Sequence, residues 1–243
     1  MGADSLWSGF PCHMRLVDVD LSNNMLSECA GAAGSPGGFG QVLDARSTLR
    51  ALDLHQCHLG SGRGLAQLAS ALACHTDSCL TFLNLGMNGV SDESTVDLAS
   101  ALEGNTALST LLLYDNRVKD AGASRLAGLL RGNRSLTRLD LSDNFVGDRG
   151  LAELSTALER NATLRSLELA GNWAEGREPT ERLLRALEGN LTLERLAVSP
   201  ADTAHRGRIR RLCDRNRRRG RRLALYYELV LLLRLSQAPA AAA

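Results

Sequence analysis

The sequence is short of lysine, of aromatic residues and of long apolar runs. Lys119 is the single lysine among 28 basic residues, and only nine of the 243 residues are Phe, Trp or Tyr. The sequence contains no lysine-bearing phosphate loop, no Gly-x-Gly-x-x-Gly fingerprint and no Gly-x-Ser-x-Gly elbow. The longest apolar stretch, 223–235, is interrupted by Glu228 and Arg234 and is too short to span a bilayer. We therefore expect a protein that is not an enzyme, with no catalytic residue, no cofactor and no small-molecule substrate.

Cysteine is present but scattered, which argues against a disulfide framework. A chain of this length can bury a core without disulfides, and none of the six cysteines falls in a regular framework. The His/Cys groups at 55–58 and 74–79 match no zinc-finger spacing, so we expect no metal site. The first 14 residues lack the apolar core of a signal peptide. We expect a cytoplasmic location, with a nuclear one as the alternative.

Leucine is abundant, with 47 copies, and many of them belong to one recurring pattern, Leu-x-x-Leu-x-Leu-x-x-Asn. The copies are LVDVDLSNN at 16–24, LRALDLHQC at 49–57, LTFLNLGMN at 80–88, LSTLLLYDN at 108–116, LTRLDLSDN at 136–144, LRSLELAGN at 164–172 and a degenerate LERLAVSPA at 193–201. Their ninth positions lie 33, 31, 28, 28, 28 and 29 residues apart. The Leu-x-Leu centre has the period of a short strand. The ninth residue, Asn or once Cys57, is expected to bond backbone groups where the chain leaves the strand.

A helical pattern fills the interval between successive strands. Leu151, Leu154 and Leu158 recur at i, i+3 and i+7 and would form one apolar helix face. Asp120 and Asp148 stand near predicted helix starts, where a carboxylate suits the free N–H groups. We interpret an asparagine after each of three helices as a left-handed C-terminal cap. These residues are Asn133, Asn161 and Asn190, which also begin Asn-x-Ser/Thr sequons that the repeat explains without a glycan.

These residues resemble the leucine-rich repeat of the ribonuclease-inhibitor type, with one strand and one full helix in each 28-residue unit. Proteins of this type include the ribonuclease inhibitor, the sensor ends of NACHT-type immune receptors and Ran GTPase-activating proteins. The resemblance covers residues 16 to about 201 and implies an α/β leucine-rich repeat solenoid of about six to seven repeats. Its parallel strands would line a concave face, its helices the outside, and a helical cap its C-terminal end.

The repeats divide the chain into three predicted parts: an N-terminal segment at 1–13, the solenoid at 14–203 and a basic helical cap and tail at 204–243. Within the first repeat, CAGAAGSPGGFG at 29–40 is too rich in glycine for a full helix, so we expect a loop followed by at most a short helix at 41–45. That loop is either a tolerated insertion or a partner-contacting segment. Whether the chain is part of a longer array stays open.

The C-terminal part carries the charge asymmetry of the molecule. Residues 204–243 hold 11 Arg against one Asp and one Glu, whereas residues 1–203 hold 17 basic against 25 acidic residues. We predict an amphipathic helix closing the last repeat and a second, mostly buried helix over 223–235. The arginines are either the solvated face of that cap, a nucleic-acid or nuclear-import patch, or a membrane-surface helix. The candidate residues of this basic tail are Arg208, Arg210, Arg211, Arg215, Arg217, Arg218 and Arg219.

The non-leucine positions of each strand should face the concave side. They combine an acidic stripe with a central apolar group, which is the composition of a protein-binding hot spot. The candidate contact residues are Asp20, Asp53, Phe82, Asn84, Met87, Leu112, Tyr114, Asp115, Arg138, Asp140, Asp143 and Glu168. Alternatively, the aspartates only reflect the Leu-Asp-Leu-Ser phrase common in such repeats. An acidic contact surface would favour a partner that is basic where it touches.

The first functional hypothesis is a non-catalytic interaction module, scaffold or regulator that binds a protein on its concave face. The alternative is a GTPase activator of the Ran-directed leucine-rich repeat type, which the resemblance allows. Members of that group typically have more repeats and an acidic region after them, whereas here the tail is basic. An immune-sensor fragment is a third possibility, although no nucleotide-binding module accompanies the repeats.

Overall fold

Seven short parallel strands follow one another in a single sheet, in a computed structural model that describes residues 16–26, 38–43, 48–61, 63–75, 79–198 and 203–236. Their order in the sheet is their order in the chain. The strands are β1 (Asp18–Asp20), β2 (Ala51–Asp53), β3 (Phe82–Asn84), β4 (Thr110–Leu112), β5 (Arg138–Asp140), β6 (Ser166–Leu169) and β7 (Arg195–Val198). Every predicted copy of the repeat, including the degenerate seventh, therefore forms a strand.

The register of the sheet aligns the repeats position by position. The middle leucines Leu52, Leu83, Leu111 and Leu139 pair in sequence and have no exposed surface, so they form the spine of the core. The residues on either side of this spine point away from the core, as alternation in a strand requires. The third and fifth positions of the repeat thus form two continuous rows across the concave face.

Helices return the chain from one strand to the next. In the described ranges they are α1 (Phe39–Val42), α2 (Gly64–Cys74), α3 (Asp92–Leu102), α4 (Asp120–Gly132), α5 (Asp148–Arg160), α6 (Arg177–Gly189) and α7 (Thr203–Ser236), with a 3-10 turn at Leu59–Ser61. Leu151, Leu154 and Leu158 are buried as the period predicts. The α/β leucine-rich repeat solenoid is confirmed. The short α1 begins at Phe39 rather than at 41, and residues 29–37 of the predicted loop lie outside the described ranges.

The ninth-position asparagines form the predicted ladder. Asn116 is buried, its Oδ1 accepts from the N–H groups of Asn88 and Val90 (3.1 and 2.9 Å), and its Nδ2 donates to the carbonyls of Leu85 and Leu113 (both 2.9 Å). From Asn88 to Asn172, each such side chain therefore bonds the backbone of its own repeat and of the preceding one. At the cysteine rung, the Cys57 thiol donates to the Leu21 carbonyl at 3.0 Å.

The asparagines that follow the helices do not adopt the left-handed conformation that we predicted. Asn133 has φ −68° and ψ 135°, and Asn161 and Asn190 are extended in the same way. All three are buried, and their side chains rather than a left-handed backbone bond the groups at the end of the helix. Asn133 Oδ1 accepts from the N–H of Leu136 at 2.8 Å, and Asn133 Nδ2 donates to the Asn105 carbonyl at 3.1 Å. They form a second ladder at the helix ends, and their burial removes the sequon side chains from solvent.

Left-handed residues recur instead at the eighth position of the repeat, where the chain turns out of each strand. At that position they are Asn23, Gln56, Met87, Asp115 and Asp143, with φ between 50° and 60°, and Gly171 with φ 72°; in the described ranges His58, Gly38 and Gly89 also have positive φ. Because all six equivalent residues share the conformation, it is a property of the repeat rather than local strain at one site.

The N-termini of helices α4, α5 and α6 are capped by an Asp side chain of the preceding repeat. Their N-cap residues make no side-chain cap bond. Asp120 Oδ1 accepts instead from Gly147 N and Gly150 N at 2.7 and 2.9 Å, one repeat further on. A Cβ on Gly150 would lie 2.8 Å from that carboxylate oxygen, so the glycine makes the approach possible. The aspartates do sit at helix starts, but they cap the next helix and so join the repeats.

The C-terminal cap is one continuous helix of 34 residues, α7, rather than the two helices that we predicted. No proline interrupts the stretch between its Arg-rich and apolar parts, and Gly220 alone does not break it. Ile209, Cys213 and Asn216 are buried against the last repeat, whereas Leu223 and Leu225 are 47% and 65% exposed. The predicted burial of the second part is therefore wrong at these two residues. The division into parts at 13 and 203 stays a prediction, and residues 1–15 lie outside the described ranges.

Candidate protein-binding face

The concave face carries a central patch, which we define as Phe82, Met87, Leu112 and Tyr114. Strands β3 and β4 place these four side chains on neighbouring repeats, with Phe82 beside Thr110 and Asn84 beside Leu112 in the register. Met87 is 43% exposed and Phe82 and Tyr114 are half-buried, but Leu112 is only 9% exposed. The register thus puts the predicted apolar group on two adjacent repeats, and Leu112 is buried rather than part of the exposed surface.

Tyr114 is fixed in place across three repeats. Its ring lies over Gly86 of the preceding repeat, where an added Cβ would come within 2.3 Å of the ring carbon Cζ. Beyond Gly86, the hydroxyl reaches His55 Nδ1 at 2.9 Å, and the two rings stack with centroids 5.6 Å apart. The tyrosine is therefore held in one orientation before any partner arrives, which lowers the entropy cost of binding. His55, Gly86 and Tyr114 are the seventh residues of three successive repeats. The sequence analysis missed this bridge because it did not compare these three positions with one another.

The acidic residues of the concave face are largely engaged within the protein. Asp53 accepts from the His55 N–H at 2.9 Å and from Asn84 Nδ2 at 3.0 Å, and Asp140 accepts from the Ser142 hydroxyl at 2.6 Å. Asp53 through the His55 N–H, and Asp140 through the Ser142 N–H at 3.0 Å, form turns in which an Asp side chain bonds the backbone two residues on. The predicted acidic stripe thus has a structural task, close to the consensus alternative considered above.

Arginines neutralise part of the stripe at its C-terminal side. Arg195 Nε lies 2.5 Å from the carboxylate of the buried Glu168, and Arg138 lies 3.9 Å from Asp140. At the opposite side, Asp18 and Asp20 are exposed. Hydrogen bonds from Ser22 lower the pKa of Asp20, so its charge persists to more acidic pH than usual. Asp115 and Asp143 are also exposed, on the turns that leave β4 and β5.

A second aromatic feature escaped the sequence analysis. Phe145 and Trp173 follow the ladder asparagines of adjacent repeats and meet edge to face, with ring centroids 4.6 Å apart. Trp173 is 62% exposed. The signal for it was two aromatics at the tenth position of successive repeats, a position outside the nine-residue pattern. The pair lies in the segments that follow β5 and β6, before the next helix begins.

The arginines of α7 divide into those that hold the cap and those that do not. Arg215 donates to the carbonyls of Leu187, Glu188 and Asn190 (3.0, 3.1 and 2.8 Å) and so closes the C-terminus of α6. Arg208 pairs with Glu188, and Arg217 donates to Asp214 at 2.9 Å. Within the described part of the chain, Arg210, Arg211, Arg218 and Arg219 make no ion pair. Burial raises the pKa of the neighbouring Cys213 thiol to about 11.

The comparisons with known proteins now decide the family. The model of the TMOD/LMOD leucine-rich domain matches residues 72–218, which is more than half of the chain. The chain belongs to the TMOD/LMOD leucine-rich domain family. The match begins in α2 and ends within the arginine-rich part of α7, so it includes the central patch, the aromatic pair and the start of the cap.

Two solved structures share the fold of this TMOD/LMOD domain. One, described as leiomodin-1 actin-binding site 2, superposes with a TM-score of 0.63 at 23% identity over 70% of this chain and 97% of that one. The other, a tropomodulin C-terminal domain of Caenorhabditis elegans, gives 0.56 at 23% identity over 70% and 99%. No curated protein sequence matches. The matches support the leucine-rich repeat fold, but not specifically the ribonuclease-inhibitor type or the Ran-directed group that the sequence resembled.

Proposed function

We propose that this chain is a non-catalytic, actin-binding leucine-rich repeat domain that contacts actin through the central patch. The observation that carries the proposal is its membership of the TMOD/LMOD family, together with the likeness to a leiomodin-1 domain described as an actin-binding site. A cytoplasmic location goes with this function. The Ran-directed activator is not proposed, because the matched family and the two solved structures are of another class.

The geometry of the central patch supports a protein contact. Phe82 and Tyr114 offer large, partly exposed rings, and Met87 adds a flexible apolar side chain at the turn. Aromatic residues on a preorganised surface, surrounded by polar groups, are the usual centres of binding energy. Exposed carboxylates occur at Asp18 and Asp20 on β1 and at Asp115 and Asp143 on the turns after β4 and β5, and the expectation of a basic contact stays a prediction.

The test is co-sedimentation with actin filaments, together with gel filtration alongside monomeric actin. The variant replaces Phe82, Met87 and Tyr114 with Ser and leaves the buried Leu112 unchanged, since a polar group there would damage the core. We expect the wild type to bind one form of actin and the variant to bind at least tenfold more weakly. A matched control replaces three exposed apolar residues outside the patch, Val17, Met25 and Leu191, with Ser.

The two parts of the proposal fail separately. A wild-type chain that binds neither filaments nor monomers would refute actin as the partner. A patch variant that binds actin as tightly as the control would leave actin binding intact and refute the concave patch as its location. Far-UV and near-UV circular dichroism of each variant establish that the repeats remain folded.

A further inference from the structure

The most highly charged segment of the chain is the arginine-rich part of α7, and the proposed contact of the central patch with actin does not involve it. Ten of the seventeen residues from Arg206 to Arg222 are Arg, against the single acid Asp214. Only Arg208, Arg215 and Arg217 have a bonding partner in the described ranges, and these three bond α6 and the residues between α6 and β7. The remaining seven arginines therefore contribute nothing visible to capping the solenoid.

Four of these arginines converge on one surface. Arg211, Arg218, Arg219 and Arg222 surround an open concavity of about 510 Å³, together with Arg215 and Asp214. Residues 211, 215, 218 and 222 are spaced by four, three and four, which places them on one helix face. The concavity is thus lined by five guanidinium groups and one carboxylate.

Such an arrangement opposes the stability of the isolated helix. Like charges three and four residues apart repel one another, and the single carboxylate at the concavity, Asp214, is paired with Arg217. The guanidinium group is suited to phosphate and carboxylate, which it binds in a bidentate manner. The surface therefore calls for an anionic partner with several closely spaced charges.

The same helix then continues past its arginine-rich segment. At Gly220 it still lies close to the solenoid, since an added Cβ would lie 3.2 Å from a Glu194 carboxylate oxygen. The side chains of residues 221–225 are all exposed, and the helix runs on to Ser236. In the sequence, eleven of the thirteen residues from 223 to 235 are apolar or Tyr. In the part of the chain that the structure describes, no helix is long and apolar enough to cross a membrane.

We propose that α7 binds the surface of an anionic membrane. The arginines around the concavity bind the phosphate and carboxylate groups of acidic lipids, and the exposed Leu223 and Leu225 that follow them enter the interface between headgroups and acyl chains. The arginines and the two leucines succeed one another along a single helix, so one lipid surface satisfies both. A nucleic acid would neutralise the arginines but leave the two leucines in water. A second copy of the chain would cover the leucines but bring two arginine clusters together.

The test is co-sedimentation of the full chain with phosphatidylcholine vesicles, with and without phosphatidylserine. We expect binding to the mixed vesicles to exceed binding to phosphatidylcholine alone by at least tenfold, and to fall as salt is raised. The variant with Arg211, Arg218, Arg219 and Arg222 replaced by Gln should lose about a hundredfold in affinity for the mixed vesicles. Replacing Leu223 and Leu225 with Asn should weaken binding several-fold and leave the dependence on phosphatidylserine unchanged.

A matched control removes the same number of charges from the solenoid helices and loops, with Arg134, Arg149, Arg160 and Arg185 replaced by Gln. It should bind the mixed vesicles nearly as well as the wild type. Equal losses in the two four-arginine variants would overturn the proposal, because they would show a net-charge effect. Absence of vesicle binding together with tight binding of a duplex oligonucleotide would overturn it in favour of a nucleic-acid surface.

Discussion

At the scale of single residues, Gly86 decides where Tyr114 lies. The tyrosine ring occupies the space that a side chain at position 86 would fill, and only there can its hydroxyl reach His55. Two consequences follow from this geometry. The central patch owes its shape to a residue that has no side chain, and a change at that residue should act on binding through Tyr114.

We expect Gly86→Ala to lower the free energy of unfolding by about 1 to 3 kcal/mol, because the added methyl group overlaps the ring of Tyr114. The displaced ring should also weaken actin binding. Urea unfolding and the near-UV circular dichroism of the tyrosine measure the first effect. Gly128→Ala is the control, since nothing lies within 4 Å of its Cβ position in α4, and it should raise the stability by about 0.5 to 1 kcal/mol. Equal behaviour of the two variants would contradict the role of Gly86.

The buried thiol of Cys213 makes a second prediction at this scale. Burial raises the pKa of this thiol to about 11, so it stays protonated near neutral pH, and burial also keeps reagents away from it. Native protein treated with iodoacetamide at pH 8 should be labelled at the exposed Cys74 and Cys79 but not at Cys213, as peptide mass mapping would show.

In the unfolded chain the Cys213 thiol ionises at its ordinary pKa of about 9.0. Stability from this group is therefore complete below pH 9 and is lost as pH rises towards 11. Rapid labelling of Cys213 in the native protein would show that this thiol is not buried and protonated there.

At the scale of elements, the carboxylate bridges between repeats matter more than the helices' own caps. Asp92, Asp120 and Asp148 stand 28 residues apart, and each accepts backbone N–H groups at the start of the following helix. An ordinary N-cap stabilises one helix. These aspartates also fix the distance between two helices, which makes neighbouring repeats depend on one another.

We expect Asp120→Ala to lower the free energy of unfolding by about 1 to 2 kcal/mol, because the N–H groups of Gly147 and Gly150 lose their acceptor. Asp120→Asn keeps an oxygen at the same place and should cost less. Asp97→Ala, an exposed aspartate on α3, should change the stability by less than about 0.5 kcal/mol. Denaturant unfolding of the three variants provides the comparison, and equal values for Asp120→Ala and Asp97→Ala would rule out the bridge.

The elements themselves were largely predictable from the sequence, whereas the contacts between them were not. Two periods, of two and of about 3.6 residues, locate the strands and most helices, and the ninth-position Asn predicts the ladder. The Asp120 bridge and the Tyr114–His55 bond join residues 27 to 59 positions apart, and no local pattern encodes such pairs. The extended backbone of Asn133 was missed for a similar reason, since the bond from its side chain to Asn105 overrides its tendency to turn. Leu112 was predicted as an exposed contact residue, but it is only 9% exposed, and the period of a strand does not encode how deeply each outward side chain is covered.

At the scale of the whole molecule, the solenoid separates its charges and its functions along its length. The concave face of the central repeats carries the central patch, and the C-terminal cap carries the arginines. Each repeat contacts its neighbours alone, so stability is approximately a sum of local terms and a loss at one end should not spread evenly. Arg215 and Asn216 are the residues on which the C-terminal end depends, because they bond the carbonyls that end α6 and precede β7.

The last prediction follows from that dependence. In Arg215→Ala, the carbonyls of Leu187, Glu188 and Asn190 lose their guanidinium donor, which should lower local stability by about 1 kcal/mol. Hydrogen exchange should then accelerate about fivefold in α6 and β7 and stay unchanged in β3 and β4, because distant repeats unfold independently of the cap. Arg218→Ala, which removes an exposed arginine without a partner in the described chain, is the control and should leave all rates unchanged. Equal acceleration in every repeat would show that the molecule unfolds as one unit and that the cap stabilises the solenoid globally.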